Sequence, residues 1–188
     1  KLPLEGLSVL TEKGGDANTE LSALDPLDAA TILYTSGSTG QSKGAWSDHR
    51  AVVQGAMSYV GQTLVFFEIM TAMGNGPTMQ PSTLLNVPLF HVTAAVPVLL
   101  QSFVIGRKLV MMPKWDAEHA MQLIEKEKIT YFVGVPLMSI EIATHPNRLK
   151  YDLTSCTAFA AGGAPRPVEH VKRIKQEMEW SFPLLGYG

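Results

Sequence analysis

The chain has 188 residues, of which 46% are apolar and 17% charged, and its formal net charge is −2. That length holds one domain or two small lobes with an ample core, and the near-neutral balance excludes the basic field that draws a protein onto nucleic acid. The single cysteine, Cys156, excludes an internal disulfide and suits a reducing, cytoplasmic setting, where it reads as a small buried hydrophobe.

Lys1 to Asp28 is weakly patterned and reads as a connection, with a turn at Gly14, Gly15, Asp16 and Asn18. No secretory leader is evident at Lys1. Thr31, Ile32, Leu33 and Tyr34 are β-branched, apolar or aromatic and predict the end of a strand. Tyr34 to Gly44 follows, reading Tyr-Thr-Ser-Gly-Ser-Thr-Gly-Gln-Ser-Lys-Gly. Glycines let a turn present bare N–H groups, and consecutive N–H groups of that kind form an anion nest. Hydroxyls on Thr35, Ser36, Ser38, Thr39 and Ser42 add rotatable donors, and Lys43 adds a point charge. The stretch reads either as a plain turn or as a loop that holds a polyphosphate. It is not a Walker A loop, because Ser42 stands where that motif needs glycine before the lysine.

Asp48 predicts a helix cap, and Val52, Ala56, Tyr59 and Val60 recur at helical spacing. Thr63 to Phe67 fits a strand or a helix. Gly74 to Pro77 predicts a loop flanked by methionines, which read as core filler or as an adaptable ligand surface. From Ser82 onward short apolar runs recur: Leu84 to Val87, Lys108 to Met112, Tyr131 to Val135, Thr157 to Ala161 and Trp180 to Leu185. Their starts lie 23 to 26 residues apart, the span of a βα unit. Helical patterns fill the gaps. One has Asp116 as cap, with Ala117, Ala120, Met121 and Ile124 on one face and Lys126 and Lys128 at its carboxyl end. Another starts at Pro167 and carries Val171, Ile174 and Met178. The helix after Leu137 is weaker, and the one after His91 must accommodate Pro97. That proline also interrupts the apolar run Ala94 to Leu100, which is too short for a transmembrane segment.

Continuous apolar strands alternating with amphipathic helices predict an α/β fold: a doubly wound, mostly parallel sheet with helices on both faces. Residues 1–80 then form an incoming connection, a strand with its phosphate loop, and a helix, and residues 81–188 form a five-stranded βα subdomain. Ligands of such sheets bind outside the carboxyl ends of the strands. The Ser36 loop, His91 after Pro88, the Gly162-Gly163-Ala164-Pro165 turn, and Gly186-Tyr187-Gly188 are expected along that edge. His91 reads as a satisfied core histidine or as a donor to an anion. The Gly162 turn reads as a tight connection or as a flat rest for a ring, and Tyr187 reads as a stacking partner for such a ring. His49, His119, His145 and His170 read as surface or cap residues. No spacing of His, Cys and carboxylates suggests a metal site.

With these residues in place, the chain from about Asp25 to Gly188 resembles the adenylate-forming superfamily of acyl-CoA synthetases, aryl-CoA ligases, luciferases and adenylation domains. Five motifs carry the resemblance, in order: Tyr34 to Gly44, Asp48-His49-Arg50, Pro88-Leu89-Phe90-His91, Gly162 to Pro165, and Gly186-Tyr187-Gly188. Ser42 stands where the family commonly has proline, and Arg166 where leucine is usual. The resemblance implies ATP, Mg2+ and coenzyme A as co-substrates, a carboxylic acid as substrate, read as a fatty acid from the apolar surroundings of His91, and acyl-adenylate as intermediate. It implies that Ser36, Ser38, Thr39 and Lys43 hold the β and γ phosphates, with Thr35, Gly37, Gly40 and Gly44 as further nucleotide-binding residues of the loop. His91 would lie by the carboxylate and α-phosphate, so Lys43 and His91 are the implied catalytic residues. Gly163, Ala164 and Pro165 would border adenine and Tyr187 would cover the ring, with Gly162, Gly186 and Gly188 as further nucleotide-binding residues. The family's Thr-Glu, its ribose-binding Asp, a later Arg and a catalytic Lys of a C-terminal domain are not in this chain. The expectation is therefore a fragment whose partners are the missing N- and C-terminal parts of its own parent chain, inactive alone. A non-catalytic nucleotide-binding or interaction module that keeps the fold is the alternative.

Overall fold

Strands gather into two separate sheets in the computed structural model, which describes residues 23–37 and 40–186. The expected turn at Gly14 to Asn18 lies outside the described residues. The first sheet is an antiparallel hairpin of β1 (Ala29–Thr35) and β2 (Lys43–Asp48), in which Tyr34 pairs with Gly44 and Thr35 with Lys43. This corrects the expectation that the Ser36 loop sits on the edge of the parallel sheet. Thr35 is the last residue of a strand, and Lys43 and Gly44 open the next one. The reason is local: Gly37 and Gly40 both have positive φ, so the chain reverses on itself and its own next segment becomes the pairing partner.

Asp48 does cap a helix. Its Oδ1 accepts from the Ala51 N–H at 2.7 Å, opening α1 (His49–Ala72). The ambiguous stretch 63–67 is helical, and the helix ends before the loop that contains Gly74 to Pro77. Tertiary contact decides this: the Gln101 amide donates to Tyr59 O at 3.0 Å and to Thr63 Oγ1 at 2.6 Å, tying the middle of α1 to a later helix.

The second sheet comprises β3 (Ser82–Leu85), β4 (Lys108–Met111), β5 (Tyr131–Gly134), β6 (Ala158–Ala161) and β7 (Phe182–Leu185), all parallel, in the order β4-β3-β5-β6-β7. All five anticipated runs are strands. Between β3 and β4 the chain forms α2 (Val92–Ala94), a π-helix over Ala95–Leu100, and α3 (Gln101–Ile105). Pro97 lies inside the π-helix; lacking an N–H, it cannot continue an α-helical ladder. The remaining crossovers are α4 (Ala117–Glu127), α5 (Pro136–Ala143) and α6 (Val168–Glu177). Asp116 caps α4 by accepting from His119 N–H at 2.7 Å, and Lys128 ends it in the left-handed region at φ 51°.

Strand alternation divides the core in two. Leu84, Phe132 and Phe159 face α4, α5 and α6, in a cluster that includes Ile124, Ile142, Ile174 and Cys156. The Phe132 and Phe159 rings lie 5.3 Å apart. Leu85, Val133 and Ala160 point to the opposite face, against Ala94 and Val98. The sheet is thus covered on both faces. Cys156 is fully buried, and burial pushes its thiol well above its usual range. No helix among the described residues is long and apolar enough to cross a membrane.

Candidate active site

The hairpin tip is built for an exposed backbone. A Cβ at Gly37 would overlap the Gln41 carbonyl oxygen, and its φ of 64° disfavours any side chain. Gly40, at φ 82°, returns its N–H to Gly37 O at 3.4 Å. The Thr35 hydroxyl donates to Lys43 O at 3.4 Å and closes the base of the turn. Ser36 and Lys43 are exposed, and Lys43 has no ion-pair partner among the described residues. Ser38 and Thr39 lie outside the described residues. The hairpin packs on α1, with His49 N–H donating to Asp28 O at 3.1 Å and Arg50 N–H to Pro26 O at 2.9 Å.

At the carboxyl edge of the parallel sheet two of the expected segments meet. Gly162 N–H donates to Gly134 O at 3.1 Å, and Gly186 N–H donates to Ala161 O at 2.8 Å. A Cβ on Gly162 would come within 3.2 Å of Gly186 O, so both strand ends approach closely because no side chain intervenes. Gly163, at φ 74°, faces open space, and Ala164 and Pro165 are exposed beside it. Tyr187 and Gly188 lie outside the described residues. His91 follows β3, two strand positions from β6, about 10 Å across the sheet. It is exposed and not a core histidine; its Nδ1 accepts from Thr93 N–H at 3.4 Å, capping α2.

Arg166 anchors the Gly162 turn from behind. Its Nη1 donates to Phe159 O at 3.1 Å and Leu184 O at 2.8 Å, and its Nη2 donates to Ser139 Oγ at 3.1 Å. One side chain thus ties β6, β7 and α5 together just beneath the edge, and burial lowers its pKa. Its Nε is buried without a partner.

A cavity of about 430 Å3 lies between α1 and the sheet. It reaches from Leu185 and Gly186 at the carboxyl edge, past Phe66, Phe67 and Met70, to Arg107 at the amino end of β4. Arg107 is buried, donating from Nε to Ser102 Oγ at 3.0 Å and from Nη2 to Pro97 O at 2.7 Å and Val98 O at 3.0 Å. These are carbonyls of the π-helix. Desolvation lowers Arg107 to about 10, with Tyr131 pulling the other way, so the guanidinium stays charged at neutral pH. Sequence reasoning missed Arg107 and noted Arg166 only as a departure from the family pattern, without a role. The available signal was a charged residue beside an apolar strand or a glycine-rich turn, at Gly106-Arg107 and at Pro165-Arg166.

Among the described residues no three His, Cys, Asp or Glu come together to hold a metal ion. What this segment offers an anion is backbone N–H groups, hydroxyls and Lys43.

A propanoyl:CoA ligase of Rhodococcus jostii, named for a methyl-dioxo-octahydro-indenyl group, is 31% identical over 173 residues, covering 92% of this chain and 31% of the relative. The long-chain-fatty-acid–CoA ligase of Bacillus subtilis is 31% identical over 161 residues, covering 86% of this chain and 27% of the relative. The chain therefore spans less than a third of the length of these curated relatives. Among solved structures, the N-terminal domain of FACL13 from Mycobacterium tuberculosis superposes with a TM-score of 0.75 at 25% identity, over 98% of this chain and 42% of that one. The model of the AMP-binding enzyme family matches residues 3–188, and the chain belongs to that family.

Proposed function

We propose that the chain is the part of an ATP-dependent acyl-CoA synthetase that holds the nucleotide and borders the acyl group. The observation that carries this reading is the meeting of Gly162 and Gly186 at the carboxyl edge of a parallel sheet, within a chain matched along residues 3–188 by the AMP-binding enzyme model. In this reaction a carboxylate oxygen bonds to the α-phosphorus of ATP, and the bond from that phosphorus to pyrophosphate breaks. The thiolate of coenzyme A then attacks the acyl carbonyl carbon, and AMP leaves. Both first reactants are anions, so donors aimed at the developing charge matter most, each worth about 2–4 kcal/mol.

Thr35, Ser36, Gly37, Ser38, Thr39, Gly40, Lys43 and Gly44 hold the β and γ phosphates in this reading. Gly162, Gly163, Ala164 and Pro165 border adenine, a role supported by the open space at Gly163. Gly186, Tyr187 and Gly188 line the ring, and His91 attends the carboxylate. Mg2+ enters with ATP. A fatty acid substrate is supported by relatives named for medium-chain and long-chain acyl groups. Residues 1–80 and 81–188 are two stretches of one larger nucleotide-binding domain, and the setting is cytoplasmic.

The test is ATP–pyrophosphate exchange. The full-length parent shows acid-dependent exchange, and the 188-residue chain alone shows little. Exchange by the isolated chain at the parent's rate sinks the claim that it is inactive alone. In the parent, Lys43→Ala lowers kcat/KM for ATP about a hundredfold, as loss of one charged donor implies; an unchanged value removes the phosphate-loop role. Nucleotide binding by the parent without any exchange identifies a non-catalytic module instead.

A further inference from the structure

The Arg107 guanidinium at the floor of the cavity has no counter-charge among the described residues. The residue is 7% exposed, and none of the ion pairs among the described residues includes it. Its Nε and Nη2 are bonded to Ser102 and to the π-helix carbonyls, while Nη1 has no partner among the described residues. The guanidinium carbon lies 5.4 Å from the centroid of the Tyr131 ring. Carbonyls and a ring face soften the cost of burying a cation, but they bring no negative charge. A guanidinium with a free N–H edge in a cavity is matched to an oxygen anion.

The position of that cation in the cavity is equally specific. Arg107 precedes β4 at one side of the sheet, and Gly186 follows β7 at the other. Four strand intervals separate them, roughly 19 Å at the usual spacing. They also sit at opposite ends of the strands. Apolar side chains such as Phe66, Phe67 and Met70 make up the larger share of the lining, with Gln62, Thr63 and Thr157 among its polar members. A ligand that fills this cavity has a long apolar body and an anionic group at the end away from Gly186.

We propose that the cavity takes a carboxylic acid bearing a second carboxylate at its remote end, a long-chain dicarboxylic acid, with Arg107 as the residue that holds the remote carboxylate. The proposal rests on the acyl-activating reading above and specifies its substrate. Arg107 is a specificity residue; it does not touch the reacting atoms.

The experiment compares tetradecanedioate with tetradecanoate in the full-length parent enzyme. Wild type uses the diacid with a kcat/KM about tenfold or more above the monoacid, the size expected of one charge-assisted pair. Arg107→Met removes that preference through KM for the diacid and leaves the monoacid nearly unchanged, and Arg107→Lys restores part of it. Equal use of the two acids by wild type, or preference for the monoacid, overturns the proposal whether or not the variants fold. If the parent activates neither acid, the acyl-activating reading fails, and calorimetric titration of both acids into the same full-length protein decides the binding claim: tighter binding of the diacid supports the remote carboxylate site, and no difference overturns it.

Discussion

Gly37 carries the strictest residue-level requirement in the hairpin loop proposed to hold the phosphates. Positive φ and the nearby Gln41 carbonyl act together, so relief of one does not remove the other. Gly37→Ala forces the tip to rearrange at a local cost of about 1–2 kcal/mol. The expected outcome in the parent enzyme is a raised KM for ATP with thermal stability lowered by only a few degrees. A KM unchanged from wild type, measured by pyrophosphate release, shows that this turn does not hold the phosphates. Gly162 differs in kind. Its φ is ordinary, and what demands glycine there is the Gly186 carbonyl oxygen at 3.2 Å from where a Cβ would stand. Arg166 and Arg107 each commit donors to backbone carbonyls, and Arg107 in addition lines the cavity beneath α1.

Among the elements, the connection from α5 to β6 shows how short polar links fix a crossover, here tied to Lys128 at the end of α4. Asp152 accepts from the Thr154 hydroxyl and the Thr154 N–H at 3.0 Å, and from Lys128 Nζ at 3.2 Å. The Thr154 bonds, then Lys128, hold its carboxyl at about 2, below the ordinary 3.8. A carboxylate held low in the folded state adds stability that is present above pH 3.8 and is lost as pH falls toward about 2. Asp152→Asn therefore flattens the acid limb of stability between those values and changes it little with pH above them, as urea titrations at a series of pH values measure. A wild-type acid limb in the Asn variant contradicts the assignment. The π-helix is the other instructive element. Pro97 disrupts the α-helical ladder, and Arg107 takes up the Pro97 and Val98 carbonyls.

For the whole molecule, the sheet face against α4, α5 and α6 supplies the central core. Phe159 is fully buried and stacks near Phe132. Phe159→Ala costs about 3–5 kcal/mol, a large share of the roughly 5–15 kcal/mol available to a domain. Guanidinium unfolding monitored by circular dichroism gives the value, and a cost below 1 kcal/mol refutes the central place of this ring. The opposite face is more open. α1 buries Ala56, Val60 and Met70 but leaves Val53, Met57, Leu64, Val65 and Ile69 exposed, so apolar side chains ring this helix. That pattern accounts for the low charged fraction noted in the sequence.

The five parallel strands were legible because each is a short apolar run at βα spacing, bounded by Pro or Gly. The caps at Asp48 and Asp116 were legible because capping depends on one side chain and the next three residues. The hairpin was not, since the pairing of Thr35 with Lys43 depends on the two positive-φ glycines between them, and composition does not report φ. Thr63 to Phe67 stayed ambiguous for the same kind of reason: a short apolar run suits either state, and Gln101 from a distant helix decides it. The sequence by itself determined the βα order, the caps and the glycine-rich segments that belong to the family. Only the tertiary structure decided that Gly162 meets Gly186, that the β1–β2 hairpin packs on α1, and that Arg107 lines a largely apolar cavity, because each is a contact between residues far apart in the chain, fixed by strand order and packing rather than by local pattern.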